Sequence, residues 1–143
     1  MRKTADQLCD YPDGPTSPDP MGGQYRLRIY EDAEGTGAPP VIVVTDASAQ
    51  GPNAQWISGH APHLVATIAR QHLPTARELQ WVNAYSTPDA PMGLFERSRF
   101  GLLSNGQAVY REHFRPASSP AIQPQAAVLS SAEVALLIGE PLD

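Results

Sequence analysis

Val41, Ile42, Val43, Val44 and Thr45 stand in an unbroken row, and such a run offers water no polar side. Branching at Cβ stiffens the side chain and favours extended backbone. Apolar side chains on both sides of a strand need cover on both faces of its sheet. The run therefore predicts a central strand buried on both faces, and the rest of the chain has to be arranged around it.

Before it, QYRLRIYE sets Tyr25, Leu27 and Ile29 in alternation with Gln24, Arg26 and Arg28, the period of a strand with one buried face. The joining segment DAEGTGAPP is polar and rich in glycine and proline, which reads as a long hairpin loop. After it, APHLVATIARQH lines up Ala61, Leu64, Val65, Ile68 and His72 at helical spacing. Pro62 fits in the first turn, where its missing donor goes unused. The helix is expected to start near Ser58 to His60 and to stop before Pro74.

Glu78 to Tyr85 alternates again, with Leu79, Trp81 and Tyr85 on one side and Val82 and Ala84 on the other. Past the loop STPDAPM, two further strands, Leu94 to Phe100 and Gln107 to Arg115, flank LLSNG, whose Asn105-Gly106 pair signals a turn. They predict an antiparallel hairpin. The Pro-rich crossing PASSPAIQPQ leads to SSAEVALLIGEP, where Ser130 and Glu133 have capping-box spacing. Val134, Leu137 and Ile138 form its stripe, Gly139 suits a left-handed end, and Pro141 blocks continuation.

The order β-β-α-β-β-β-α has one helix between strands and is otherwise made of hairpins. It predicts an α+β fold with a mainly antiparallel sheet of about five strands and helices packed on one face. The 143 residues are one domain's worth, placed here at 24–143. Asp10, Pro12, Asp13, Pro15, Pro18, Asp19 and Pro20 mark 1–23 as a Pro/Asp-rich tail, expected to be disordered or loosely attached.

A net charge of −5 argues against a strong delocalised attraction to nucleic acid or anionic membrane. The single cysteine, Cys9, cannot form an internal disulfide, which fits a reducing compartment. No apolar run approaches the roughly 20 residues of a membrane span, and MRKTADQLCDYPDG has no apolar signal region. The expected location is cytoplasmic, with no membrane partner.

Several chemistries can be weighed directly. VIVVTDASAQGPNAQ resembles the entry to a nucleotide site, a strand ending in Asp46 before a Gly/Asn loop. A dinucleotide loop needs more glycines and a phosphate loop needs a lysine, and both are missing. Asp46 reads first as a turn former or helix cap. His60, His63 and His72 do not supply the third and fourth ligands of a metal site in any recognisable spacing, so no metal and no cofactor is assigned. No nucleophile elbow is present, the Ser58 and His60 pairing is unspecific, and no catalytic residue is named. Glu96 and Glu112 could face one another across the hairpin, but arginines beside each make them ordinary ion-pair partners.

The arginines are the most unusual feature. After the tail there is no lysine, and six of eight arginines fall on predicted strands: Arg26, Arg28, Arg97, Arg99, Arg111 and Arg115. By alternation Arg97 and Arg99 share a face, as do Arg111, His113 and Arg115, and Tyr110 adds an aromatic ring. Guanidinium forks take carboxylate or phosphate bidentately. The alternative reading is a solvated sheet face whose charges protect an edge. No RNP-like stacking signature accompanies the arginines, which weakens a sequence-specific RNA reading.

YRLRIYED, PPVIVVTD, LQWVNAYS and LSSAEVALLIGEPL together resemble a family of small bacterial proteins of unknown activity. That family shows a YED-like strand end, a PPVVVVT-like strand, a W-x-x-x-Y strand and a terminal LT-x-x-E-V-x-x-L-I-G helix. The resemblance spans most of Gln24 to Leu142. The chain departs from it at SGHAP and in the Pro-rich insertion before the last helix. It implies one folded bacterial domain and assigns no site residue.

These readings predict a small non-catalytic protein-binding module or inhibitor, of the kind a mobile element could direct at a host protein complex. Its partner is expected to present an acidic surface to Arg97, Arg99, Tyr110, Arg111, His113 and Arg115. The alternatives are a small enzyme acting on a phosphate-bearing molecule at Asp46, His60 and His63, or a nucleic-acid binder using the same hairpin.

Overall fold

The alternation of β2 (Gln24–Glu31) and the unbroken apolar run of β3 (Val41–Asp46) set the middle of a sheet, paired antiparallel from Tyr25 opposite Asp46 to Tyr30 opposite Val41. The computed structural model describes residues 1–10, 24–46, 61–87, 90–114 and 128–141. Among them, β4 (Glu78–Thr87) lies parallel to β3, with Val41 opposite Gln80 and Val44 opposite Asn83. The helix α1 (Ala61–His72) falls between these two strands in sequence, as a parallel connection requires.

β5 (Ala90–Leu102) runs antiparallel to β4, and β6 (Ala108–Phe114) antiparallel to β5. β7 (Val128–Ser130) takes the stretch of β5 at Leu94 to Glu96 that β6 leaves open. The order β1-β2-β3-β4-β5-β6 makes a mainly antiparallel sheet with one parallel pair, an α+β architecture as expected but with more strands. The terminal helix α2 (Ser131–Ile138) begins on the predicted capping box: Ser130 Oγ accepts from Glu133 N, and the Glu133 carboxylate accepts from Ser130 N. Gly139, at φ 85°, closes it in the left-handed conformation.

Val41 to Val44 are all buried, as a doubly covered strand must be. The covers are different helices. Ile42 and Val44 join Leu27, Ile29, Leu79, Trp81 and Phe100 beneath Leu64, Val65 and Ile68 of α1. Val41 and Val43 join Tyr30, Val82 and Phe95 beneath Val134 and Ile138 of α2. The helices therefore sit on opposite faces rather than on the one face expected, because a run that is apolar on both sides needs both of them. The second cover also buries Arg28 and Tyr30, which alternation alone would place on a wet face.

Within the stretch 1–23 expected as a tail, β1 (Arg2–Asp10) is a strand at the end of the described sheet order, antiparallel to β2 from Arg2 opposite Glu31 to Asp10 opposite Gln24, while 11–23 lie outside the described residues. An edge strand can leave most side chains wet, so it needs no apolar alternation to pair. Asp6 anchors it. Its carboxylate accepts Arg26 Nε at 2.9 Å and Nη2 at 2.8 Å, a bidentate fork, and also Lys3 Nζ at 2.9 Å. Lys3 reaches on to Glu140 at 3.5 Å, and the Tyr30 hydroxyl donates to the same carboxylate at 3.1 Å, which ties the end of α2 to this edge. Among the described residues no helix is long and apolar enough to cross a membrane.

Candidate functional site

The hairpin singled out by its arginines is built from its turn upward. Gly106 adopts φ 87° and donates to Leu103 O at 3.0 Å, while Asn105 Oδ1 accepts from Gln107 N at 3.0 Å. The Asn-Gly pair thus supplies the backbone freedom and the local acceptor that a tight reversal needs. Regular pairing follows through Leu102 with Ala108, Gly101 with Val109 and Phe100 with Tyr110. Then the register slips: Arg99 stands opposite Glu112, so Arg111 is an extra residue, a β-bulge.

The bulge decides which side chains share a face. In an unbroken ladder Arg111 would alternate away from Glu112. Instead its guanidinium lies over Gly101: a Cβ on that glycine would stand 2.7 Å from Arg111 Nε. Gly101 follows Arg97 and Arg99 at spacings of two, so Arg97, Arg99 and Arg111 lie on one face of the sheet, the face that α2 covers further in. The expected grouping of Arg111 with His113 and Arg115 falls largely outside the described residues. His113 pairs with Ser98, its side chain and all of Arg115 lying outside the described residues. On the opposite face Tyr110 is 41% exposed and its ring meets Phe100 with centroids 4.5 Å apart.

The three arginines differ in what they can offer. Arg99 is held between two carboxylates, with Nη2 to Glu78 at 2.5 Å and Nη1 to Glu112 at 3.3 Å. Those contacts raise its pKa further and leave little charge unanswered. Arg97 is half-buried beside Val82. Arg111 is exposed and has no carboxylate partner among the described residues. Glu96 and Glu112 are not a carboxylate pair, since Glu112 registers with Arg99 and Glu96 with Asn83.

The alternative site is only partly placed. Asp46 ends β3 opposite Tyr25, whose own neighbour across β1 is Cys9. Burial, with Cys9 adding to it, pushes the Tyr25 phenol up to about 12. The Asp46 side chain, residues 47–60 and His60 lie outside the described residues. His63 is exposed in the first turn of α1, its carbonyl accepting Thr67 Oγ1 at 3.0 Å. Among the described residues no three His, Cys, Asp or Glu side chains gather where they could hold a metal ion.

Sequence reading missed a polar row inside the sheet. Asn83, Glu96 and Ser98 are fully buried, with Asn83 opposite Glu96 and Trp81 opposite Ser98. Trp81 Nε1 donates to Asn83 Oδ1 at 2.9 Å. All four share the α1 face, and the signal was available: Trp81 with Asn83, and Glu96 with Ser98, are spaced by two on strands that had to be neighbours. Being sealed from solvent, the row orders the interior and offers no surface on which a solute could react. No family model matches the chain, and neither curated proteins nor solved structures match it.

Proposed function

We propose that this chain is a non-catalytic binding protein that captures an acidic surface of a protein partner on the outer β5–β6 hairpin. The observation that carries the reading is the seat of Arg111: a bulge and a glycine hold one exposed guanidinium with no carboxylate among the described residues to answer it. Beside it stand the half-buried Arg97 and the doubly clamped Arg99, and Tyr110 offers an aromatic contact around the strand edge. Arginine and tyrosine held in place in this way are the residue types that dominate protein interfaces.

The partner meets side chains, not backbone. The strands at the two ends of the described order, β1 and β6, each carry a bulge, at Thr4 and at Arg111, and bulges together with charged side chains disfavour addition of another strand. A nucleic-acid reading has less support, because Glu78 and Glu112 share the face with the arginines and would repel phosphates. The test is quantitative affinity capture of partners by the wild-type chain, Arg111→Glu and Tyr110→Ala. Proteins enriched by the wild type should fall at least tenfold with Arg111→Glu at unchanged thermal stability. Equal enrichment by both would remove this face from consideration.

A further inference from the structure

A second, independent site lies at the opposite side of the same hairpin end, where the last turn of α1 and the α1–β4 connection meet the β5–β6 turn. They enclose an open groove of about 680 Å³. Its floor is apolar, with Ala69 and Leu73 almost fully buried and Leu102 half-buried, and Leu103 stands 41% exposed on the rim. Two arginines line it, Arg70 and Arg77, both exposed and both without an ion-pair partner among the described residues.

Arg70 is placed rather than dangling. A Cβ on Gly106 would stand 3.6 Å from Arg70 Nη1, so that guanidinium reaches across the groove to the hairpin turn. The main chain of Arg77 is tied to β5, its carbonyl accepting from Leu102 N at 2.9 Å, and the residue lines the same groove. In a chain of net charge −5, two guanidinium groups left unanswered around one apolar floor are a specific asymmetry. The floor suits an aliphatic or aromatic side chain, and the forks suit carboxylates on either side of it.

We infer that this groove binds an extended acidic peptide segment in which an apolar residue is flanked by carboxylates. The groove is open and its arginines are on the rim, which fits a segment laid across it better than a small molecule enclosed by it. The apolar residue docks on Leu73 and Leu103 while Arg70 and Arg77 take the flanking acids.

The experiment is amide chemical-shift mapping on the full chain with capped pentapeptides of the form Gly-Asp-Leu-Glu-Gly and its Phe and Met analogues. The Asn/Gln amide version and inorganic phosphate serve as comparisons. Saturable shifts confined to residues 66–77 and 102–106 are expected, weakened at least tenfold by Arg70→Glu with Arg77→Glu and at least threefold by Leu103→Ser. Arg111→Glu should leave them unchanged, which separates this groove from the face proposed above. Binding of the amide peptide as tight as the acidic one, phosphate producing the same shifts at the same concentration, or no saturable shifts would each overturn the inference. Leu103 is exposed in the native fold, so its substitution keeps the test decisive even if the double reversal impairs folding.

Discussion

Arg111 rests on Gly101: the space a β-carbon would occupy on the glycine is taken by Nε, Cζ and Nη2 of the arginine, all within 3.3 Å of it. What a methyl there would strike is the far end of a side chain, so the backbone need not move. Gly101→Ala is therefore expected to leave the thermal midpoint within a few degrees of wild type, while lifting the guanidinium from its seat. If the seat matters, Gly101→Ala should lose much of the partner capture that Arg111→Ala loses. Capture equal to wild type would mean that a freely moving Arg111 serves equally well.

The buried pair Trp81 and Asn83 gives a prediction about stability. The indole N–H has its acceptor at 2.9 Å in an interior where both residues are fully buried. Asn83→Leu leaves that donor without a partner, a loss of roughly 1–3 kcal/mol. The penalty should shrink in a Trp81→Phe background, where no donor remains to be stranded. Urea unfolding followed by circular dichroism measures both. The same penalty in the two backgrounds would place the cost in packing rather than in the hydrogen bond.

Ser130 and Gly139 bracket a helix of eight residues that roofs the second core. Ser130→Ala removes the cap on Glu133 N and is expected to cost about 1 kcal/mol. Gly139→Ala forces a side chain into φ 85° and should cost a similar amount. Because Val134 and Ile138 cover Val41, Val43 and Val82, the loss should appear as a cooperative shift of the whole unfolding transition. Local fraying in hydrogen exchange with an unmoved global transition would show that α2 docks as a separate unit.

What was legible in the sequence was what period and caps encode. Val41 to Thr45 specified a doubly covered strand, Asn105-Gly106 specified the hairpin, and Ser130 to Gly139 specified the last helix almost residue by residue. The site was less legible, for a physical reason. A bulge adds one residue to a strand without a composition of its own, so the side to which Arg111 turns depends on its pairing with β5. Ion pairing is equally non-local: Arg99 looked like its neighbours until Glu78 on β4 came beside it. β1 escaped notice because it binds largely through backbone pairing and polar contacts such as the fork from Arg26 to Asp6, with little apolar signal.

That fork carries the last prediction, a dependence on pH. Hydrogen bonds from Arg26 and then Lys3 hold the Asp6 carboxyl well below its ordinary value near 3.8. A carboxylate whose pKa is depressed in the folded state stabilises that state above its unfolded pKa, and the contribution is lost as pH falls toward the folded one. The wild-type chain should therefore lose stability from about pH 4 downward more steeply than Asp6→Asn, which should be the less stable of the two near neutral pH. The side chains of Asp6 and Arg26 are 28% and 35% exposed, so the difference should also narrow as salt is raised. Denaturation midpoints measured from pH 7 to pH 2 at low and high salt check the claim. Parallel acid limbs for the two chains would show that the fork of Arg26 on Asp6 contributes nothing to holding β1 against the sheet.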